Sequence, residues 1–329
     1  TLALVALNGK PADLALLPDF SGPILHRKPL SSAACSRSKL AYVRAAWAAG
    51  SGSGRIVCGH LAQLPAAALA ARPGARLALV AHGIEVWKKP SPLQALALRR
   101  CDRVFCVSRH TRDRLATLHP RLATRLRIVP NALDPALLSG PAPEPPPSGT
   151  PPVILCVGRL LASDSYKGYD LLLRAFALLP PSAFHSHPEL VPRLRFVGDG
   201  DDRPRLQALA AELHVADRVE FSGRLPDPDL RRAFADCTCF ALPSTGEGFG
   251  LVYLEALAAG RPCVALKATA VPELITPQLG ILAEPGDPAS LAAALAECLS
   301  RFWDANELRQ AALCHSYPHL VTALATAWH

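Results

Sequence analysis

The chain has no methionine, and only 6% of its 329 residues are aromatic. Neither aromatic interleaving nor a helix-turn-helix pattern accompanies its basic residues, so nucleic acid is not an expected partner. It has no run of eighteen uncharged apolar residues, which excludes a simple membrane-spanning helix. Residues 1–7 are apolar but lack a basic leader and a small-residue cleavage site, so they do not read as a signal peptide. None of the ten cysteines forms a C-x-x-C pair, and no His/Cys cluster has zinc-ligand spacing. Cys106, Cys156, Cys239 and Cys263 sit inside apolar runs, where a free thiol packs as a small hydrophobe. This pattern reads as a reducing, cytoplasmic setting with no structural metal.

What is present is bulk and charge. Half of the residues are hydrophobic, enough for large cores and two domains. The net charge of +8 is unevenly spread: residues 1–150 carry 20 Lys+Arg against 7 Asp+Glu, and residues 151–329 carry 15 against 20. The first half either meets something anionic, such as a lipid surface or a charged acceptor, or uses arginine as a solvated surface residue. Arg109–Arg127, with six arginines, is the candidate contact with an anionic membrane.

Short apolar runs alternate with helical patterns in the second half. Strands are predicted at Val153–Val157, Leu194–Val197, Val219–Phe221, Cys239–Leu242, Cys263–Leu266 and Gly280–Leu282. Helices are predicted at Tyr169–Leu179, Pro204–Leu213, Asp227–Ala235 and Leu251–Ala259. Such alternation implies a parallel sheet covered on both faces, with ligands beyond the C-terminal strand ends. The first half repeats the pattern loosely at Leu2–Leu7, Arg55–Cys58, Leu77–Ala81, Arg103–Val107 and Arg127–Pro130. A proline-rich stretch divides the two. The expected layout is a first Rossmann-like domain over 1–134, a linker over 135–152 and a second domain over 153–329. The helical stretch Leu320–Trp328 closes the chain.

Pro243–Ala265, P-S-T-G-E-G-F-G-L-V-Y-L-E-A-L-A-A-G-R-P-C-V-A, is the most telling segment. Gly248, Phe249 and Gly250 precede a helix that begins at Leu251 and is ended by Gly260 and Pro262. Free amides and the positive end of the helix dipole favour a phosphate or a sugar hydroxyl there. Glu247 and Glu255 add acceptors for hydroxyls. The combination suits a nucleotide sugar. After the strand Val153–Val157, Arg159 and Lys167 flank a loop, and two cations suit a diphosphate. His82 and His60 each end a strand of the first half. Asp199, Asp201 and Asp202 form an acidic turn before a helix, which a cap explains without a metal.

The Pro243–Ala265 string, with G-R-L at Gly158 and Y-K-G-Y-D at Tyr166, resembles retaining GT-B glycosyltransferases of the family-4 type. The resemblance implies two Rossmann-like, doubly wound α/β domains facing a cleft. It implies sugar transfer from a nucleoside-diphosphate substrate to an unidentified acceptor hydroxyl, with no cofactor and no metal. It implies that Arg159 and Lys167 bind the diphosphate, Glu247 faces the sugar and Glu255 holds the ribose. It further implies that His82 contacts the sugar near its reacting carbon, that Leu225 lies by the base, that Asn131 caps the first domain beside the hinge, and that the last helix packs back on the first domain. Gly248, Phe249, Gly250 and Leu251 complete the donor set. Two departures stand out. Leu2–Leu7 looks like the family's second strand and leads into Asn8–Pro11 without a glycine-rich loop, so the first strand–loop–helix unit is expected to be missing. The segment A-L-K-A-T-A-V-P-E, Ala265–Glu273, lacks the glycine pair usual before P-E. A non-catalytic nucleotide-sugar-binding protein and another GT-B enzyme, such as an epimerase or phosphorylase, remain alternatives.

Overall fold

A computed structural model describes residues 3–6, 31–34, 38–50, 53–140, 143–144, 146–147, 149–179 and 190–329. These divide into two compact units. The first takes in residues up to Val129 together with Val321–His329; the second runs from Pro130 to Leu320.

The first unit is built on a parallel four-stranded sheet in the order β3-β4-β5-β6: β3 (Arg55–Cys58), β4 (Arg76–Ala81), β5 (Arg103–Cys106) and β6 (Leu126–Ile128). The central strands are apolar at nearly every position and are buried, as a sheet covered on both faces requires. β1 (Ala3–Ala6) pairs in parallel with β2 (Ser31–Ala34) and lies outside that sheet. The expected strand Leu2–Leu7 thus has a partner, S-S-A-A, that carries no β-branched or aromatic signal. Asn8–Pro11 lies outside the described residues.

The C-terminal residues of the chain join the first unit through Trp328. Its ring lies edge-on to Phe105 at 5.4 Å, with the Arg55 and Arg76 guanidinium groups over it at 5.5 and 5.2 Å. Arg76 also donates to the Trp328 carbonyl, and Arg103 to that of His329, both at 2.8 Å.

The second unit holds a parallel six-stranded sheet in the order β12-β11-β10-β7-β8-β9. The strands are β7 (Val153–Val157), β8 (Arg193–Val197), β9 (Val219–Phe221), β10 (Cys239–Leu242), β11 (Cys263–Leu266) and β12 (Gly280–Ala283). Chain order runs outward in one direction from β7 and in the other from β10, so the loops after β7 and β10 diverge at the centre of the sheet. That divergence is where doubly wound sheets form a crevice. Cys156, Cys237, Cys239 and Cys263 are buried free thiols; burial raises the pKa values of Cys156, Cys237 and Cys263, while a hydrogen bond with Cys298, then burial, raises that of Cys239.

The segment expected to be a linker is fastened to the second unit. Asp134 caps a short helix, Pro135–Leu138, with proline at its first position, where the missing N–H costs nothing. Arg309, buried on the helix Ala305–Leu313, donates to the carbonyls of Leu137, Leu138, Ser139 and Gly140, and to that of Ala258. Arg261, also buried, donates to the carbonyls of Glu144 and Ala235. Two guanidinium groups at helix C-termini satisfy carbonyls that would otherwise be orphaned. Pro130 and the residues after it group with the second compact unit.

Candidate active site

The loops at the centre of the second sheet carry most of the predicted site. Arg159 leaves β7, and Lys167 ends a turn of 3-10 helix, Ala162–Lys167, before the helix Tyr169–Leu178. Glu247 lies on the loop after β10. The Lys167 Nζ meets the Glu247 Oε1 at 2.6 Å, and both side chains are largely buried. The two loops are stitched together: the Thr245 amide donates to the Tyr166 carbonyl at 2.8 Å. An ammonium has three N–H donors and a carboxylate about four acceptor sites. The pair therefore keeps capacity for both an anion and a hydroxyl.

Arg159 is differently placed. Its side chain is 70% exposed and pairs with Asp164 at 2.8 Å, while the Tyr169 hydroxyl fixes its carbonyl at 2.9 Å. It lines an open cavity of about 940 Å³ above the C-terminal ends of β7 and β8. Leu225, Arg224 and Asp227 line the same space, as does the turn of Asp199 to Asp201. Lys167, Glu247 and Phe249 are not among its lining residues. The cavity is framed by backbone in close approach. A Cβ on Gly198, whose φ is +137°, would lie 1.8 Å from the Gly158 carbonyl oxygen, so only glycine fits.

The acidic turn is used within the protein. The Asp201 carboxylate accepts from the Ala162 amide at 2.9 Å, and Asp199 accepts from Gly200 and faces Arg203. Asp202 and Asp170 share Arg205 in charge-assisted pairs.

Gly250 caps the helix Leu251–Ala258 with φ +96°, where a Cβ would strike the Tyr253 ring at 2.6 Å. Tyr253 in turn donates to the Leu242 carbonyl at 2.6 Å, which locks this helix to β10. The first helical amides, at Leu251 and beyond, open on the same side as the Glu247 loop. Glu255 lies further along the helix and is partly buried. Burial, with the Asp227 carboxylate as a second contribution, raises its pKa to about 7. Phe249 stacks edge-on against His315 at 5.4 Å. The His315 carbonyl accepts from Leu133, and the Asn131 backbone hydrogen-bonds to the His315 side chain. Asn131 thus belongs to the second unit and braces the Phe249 loop; the expected cap on the first domain is not what it forms.

In the first unit, His82 follows β4. Its Nε2 donates to the Gly59 carbonyl at 2.8 Å, and its amide donates to Glu85 at 2.6 Å. The Nδ1 of the neutral ring then remains an acceptor. His60 accepts from the Ala62 amide through its own Nδ1 at 3.0 Å, so it serves as a local cap. Sequence reading missed Asp164, Arg224, Asp227 and Tyr253, whose roles depend on neighbours distant in the chain.

Two units, each built on a parallel sheet, form the GT-B fold, which the matching solved structures share. Solved structures share the fold over nearly the whole chain. Anabaena HepE in complex with UDP matches with a TM-score of 0.76 at 20% identity, covering 100% of this chain and 99% of that one. The lipopolysaccharide outer core galactosyltransferase WaaB matches with a TM-score of 0.73 at 18% identity, covering 99% and 98%.

Residues 151–301 match the model for Glycosyl transferases group 1, and residues 8–137 match that for Glycosyltransferase Family 4. The chain belongs to the group 1 glycosyltransferases of the GT-B fold. It is 34% identical over 228 residues to a GDP-mannose-dependent alpha-(1-6)-phosphatidylinositol monomannoside mannosyltransferase of Mycolicibacterium smegmatis, which spans 63% of this chain and 56% of that protein. A D-inositol 3-phosphate glycosyltransferase of Stackebrandtia nassauensis is 42% identical over 124 residues, covering 36% of this chain and 27% of that protein. The chain thus spans about half the length of the first of these relatives and less of the second.

Proposed function

We propose that the chain is a retaining, metal-independent glycosyltransferase whose second unit binds a nucleoside-diphosphate sugar. The observation that carries this reading is the Lys167–Glu247 pair at the strand reversal, 2.6 Å apart and next to the Gly250-capped helix. Lys167, Arg159 and the helix amides supply positive charge for a departing diphosphate, and Glu247 accepts from sugar hydroxyls. Such preorganised electrostatics is usually the largest single catalytic contribution.

In the proposed step the bond between the anomeric carbon and the phosphate oxygen breaks, and its electron pair leaves with the diphosphate. The acceptor oxygen then bonds to the anomeric carbon on the same face, and the acceptor proton passes to a phosphate oxygen. No protein base is needed in this step. The relatives act on GDP-mannose and on inositol-containing acceptors by name, which supports an anionic acceptor for this chain. The surplus of cations in residues 1–150 supports the same choice.

Transfer assays with GDP-mannose and UDP-glucose, followed by NMR of the product, test the proposal. Release of nucleoside diphosphate with an unchanged anomeric configuration is expected, and EDTA leaves the rate intact. Inversion, or loss in EDTA restored by manganese, contradicts it. Peripheral contact with an anionic membrane is a further part of the proposal. Within the arginine-rich stretch, Arg112 pairs with Asp113 and Arg125 is held by carbonyls, whereas Arg114 and Arg121 are exposed. Sedimentation with anionic vesicles should exceed that with neutral ones and weaken with salt; equal sedimentation removes this part.

A further inference from the structure

Asp164 is only 8% exposed, and its Oδ2 is closed to solvent and meets no well-directed hydrogen-bond donor. An ionised carboxylate so placed needs a compensating charge. Among the described residues Arg159 supplies it, with Nη2 2.8 Å from that oxygen. The two residues stand on one loop, and their exposures are opposite. The carboxylate is buried, while the guanidinium side chain is 70% exposed and lines the open cavity.

The shape of the loop does not depend on this pair. The Arg159 carbonyl accepts from the Tyr169 hydroxyl at 2.9 Å. The Leu160 amide donates to the Asp199 carbonyl at 3.1 Å, and the Asp202 amide donates to the Leu160 carbonyl at 2.9 Å. Further on, the Ala162 amide donates to the Asp201 carboxylate and the Asp164 amide to the Leu161 carbonyl, both at 2.9 Å. These contacts hold the backbone at both residues, and the ion pair is left to hold the Arg159 side chain.

We infer that Asp164 is a positioning residue for diphosphate binding: it holds Arg159 through one nitrogen, so that the guanidinium meets the phosphate groups of the donor with its other N–H donors. The inference rests on the reading of the second unit as a nucleotide-sugar site. A guanidinium carries five N–H donors in a rigid plane, enough to hold a carboxylate on one edge and a phosphate on another. A free arginine side chain loses much rotamer freedom when it binds a ligand, and one already held loses little. The carboxylate also opposes an incoming anion by its charge. That charge is engaged by the guanidinium at 2.8 Å, and what reaches the open cavity is screened by water. Hydrogen bonds between ionised groups are short, directed and strong, so orientation outweighs repulsion.

Calorimetric titration of the whole chain with GDP and UDP tests this in a double-mutant cycle. Asp164→Asn keeps the size of the side chain and removes its charge. It should weaken binding of whichever nucleotide the native chain takes by about five- to tenfold. In the Arg159→Ala background the same substitution should cause no weakening, because no guanidinium remains to be held. Unchanged or tighter binding in Asp164→Asn overturns the inference, since the carboxylate is then idle or a competitor of the ligand. Equal weakening in both backgrounds also overturns it, since the effect then runs through the loop and not through Arg159. If the asparagine variant does not fold, Arg159→Lys decides. Lysine keeps the charge but has no planar fork to span two anions, so a loss of about five- to tenfold is expected; unchanged affinity overturns the inference. Should the native chain bind neither nucleotide, the donor reading falls, and this inference with it, before any substitution is made.

Discussion

The two units use their charged side chains differently. In the second, beside the carbonyl-bound Arg261 and Arg309, cations pair with carboxylates: Lys167 with Glu247 across two loops, Arg159 with Asp164 within one, and Arg205 with both Asp170 and Asp202. In the first, Arg100 reaches the carbonyls of Ala68 and Ala71, Arg125 those of Arg99 and Cys101, and Arg76 and Arg103 those of the C-terminal residues. His82 likewise rests on a carbonyl, that of Gly59. The basic surplus of the first half is thus partly consumed in holding backbone together. The second unit, which is acidic in net terms, holds Arg159 and Lys167, the two cations of the proposed donor site, in ion pairs on the loop after β7.

The largest expected effect separates the units most sharply. Lys167→Ala should lower turnover by roughly 100- to 1000-fold, as loss of one preorganised donor to a charged transition state does. It should also weaken binding of the bare nucleotide. His82→Ala should lower turnover by a smaller factor, about tenfold to a hundredfold, and leave nucleotide affinity unchanged. Equal losses of nucleotide affinity in both variants would erase the distinction.

A second contrast concerns stability. Arg309→Ala leaves the carbonyls of Ala258, Leu138 and Gly140 without their donor, and should cost roughly 2–4 kcal/mol in urea unfolding. Arg100→Ala in the first unit, where two carbonyls are involved, should cost about 1 kcal/mol. Comparable costs would mean that the segment Leu137 to Gly140 is not specially dependent on the Arg309 guanidinium.

A third effect is one of pH. Glu255 has its pKa raised from an ordinary 4.5 to about 7, first by burial and then by Asp227. Below pH 4.5 the group is protonated in both the folded and unfolded chain and contributes nothing. Between 4.5 and 7 the folded state holds the proton more tightly, so stability falls as pH rises, by about 1–3 kcal/mol in total. Glu255→Gln should flatten that slope. Denaturation midpoints at pH 5, 6, 7 and 8 provide the check, and a slope unchanged in the variant would remove Glu255 from the account.

Much of the second unit is legible in its sequence. Each predicted strand there falls within a residue or so of the observed one, because a strand buried on both faces must be a short apolar run between turns. The Gly248–Gly250 loop is legible because glycine and a following helix leave a local trace. The rest depends on contacts between distant positions. Arg309 serves carbonyls some 170 residues earlier, and nothing near it in sequence marks that use. Trp328 finds Phe105, Arg55 and Arg76 only in the folded chain. The strand Ser31–Ala34 has weak intrinsic preference and exists through its pairing with Ala3–Ala6. The proline content of residues 135–152 likewise gives no sign that Arg309 and Arg261 hold the carbonyls of Leu137 to Gly140 and of Glu144.

Hydrogen exchange of the whole chain with and without GDP-mannose or UDP-glucose tests the central claim most directly. The account predicts slowed exchange in the second unit, in the loops Gly158–Gly168 and Gly198–Asp202, in the segment Arg224–Leu230 and at the start of the helix Leu251–Ala258. Little change is predicted in the sheet of the first unit. Protection confined to the first unit, or no protection by either ligand at saturating concentration, would contradict it.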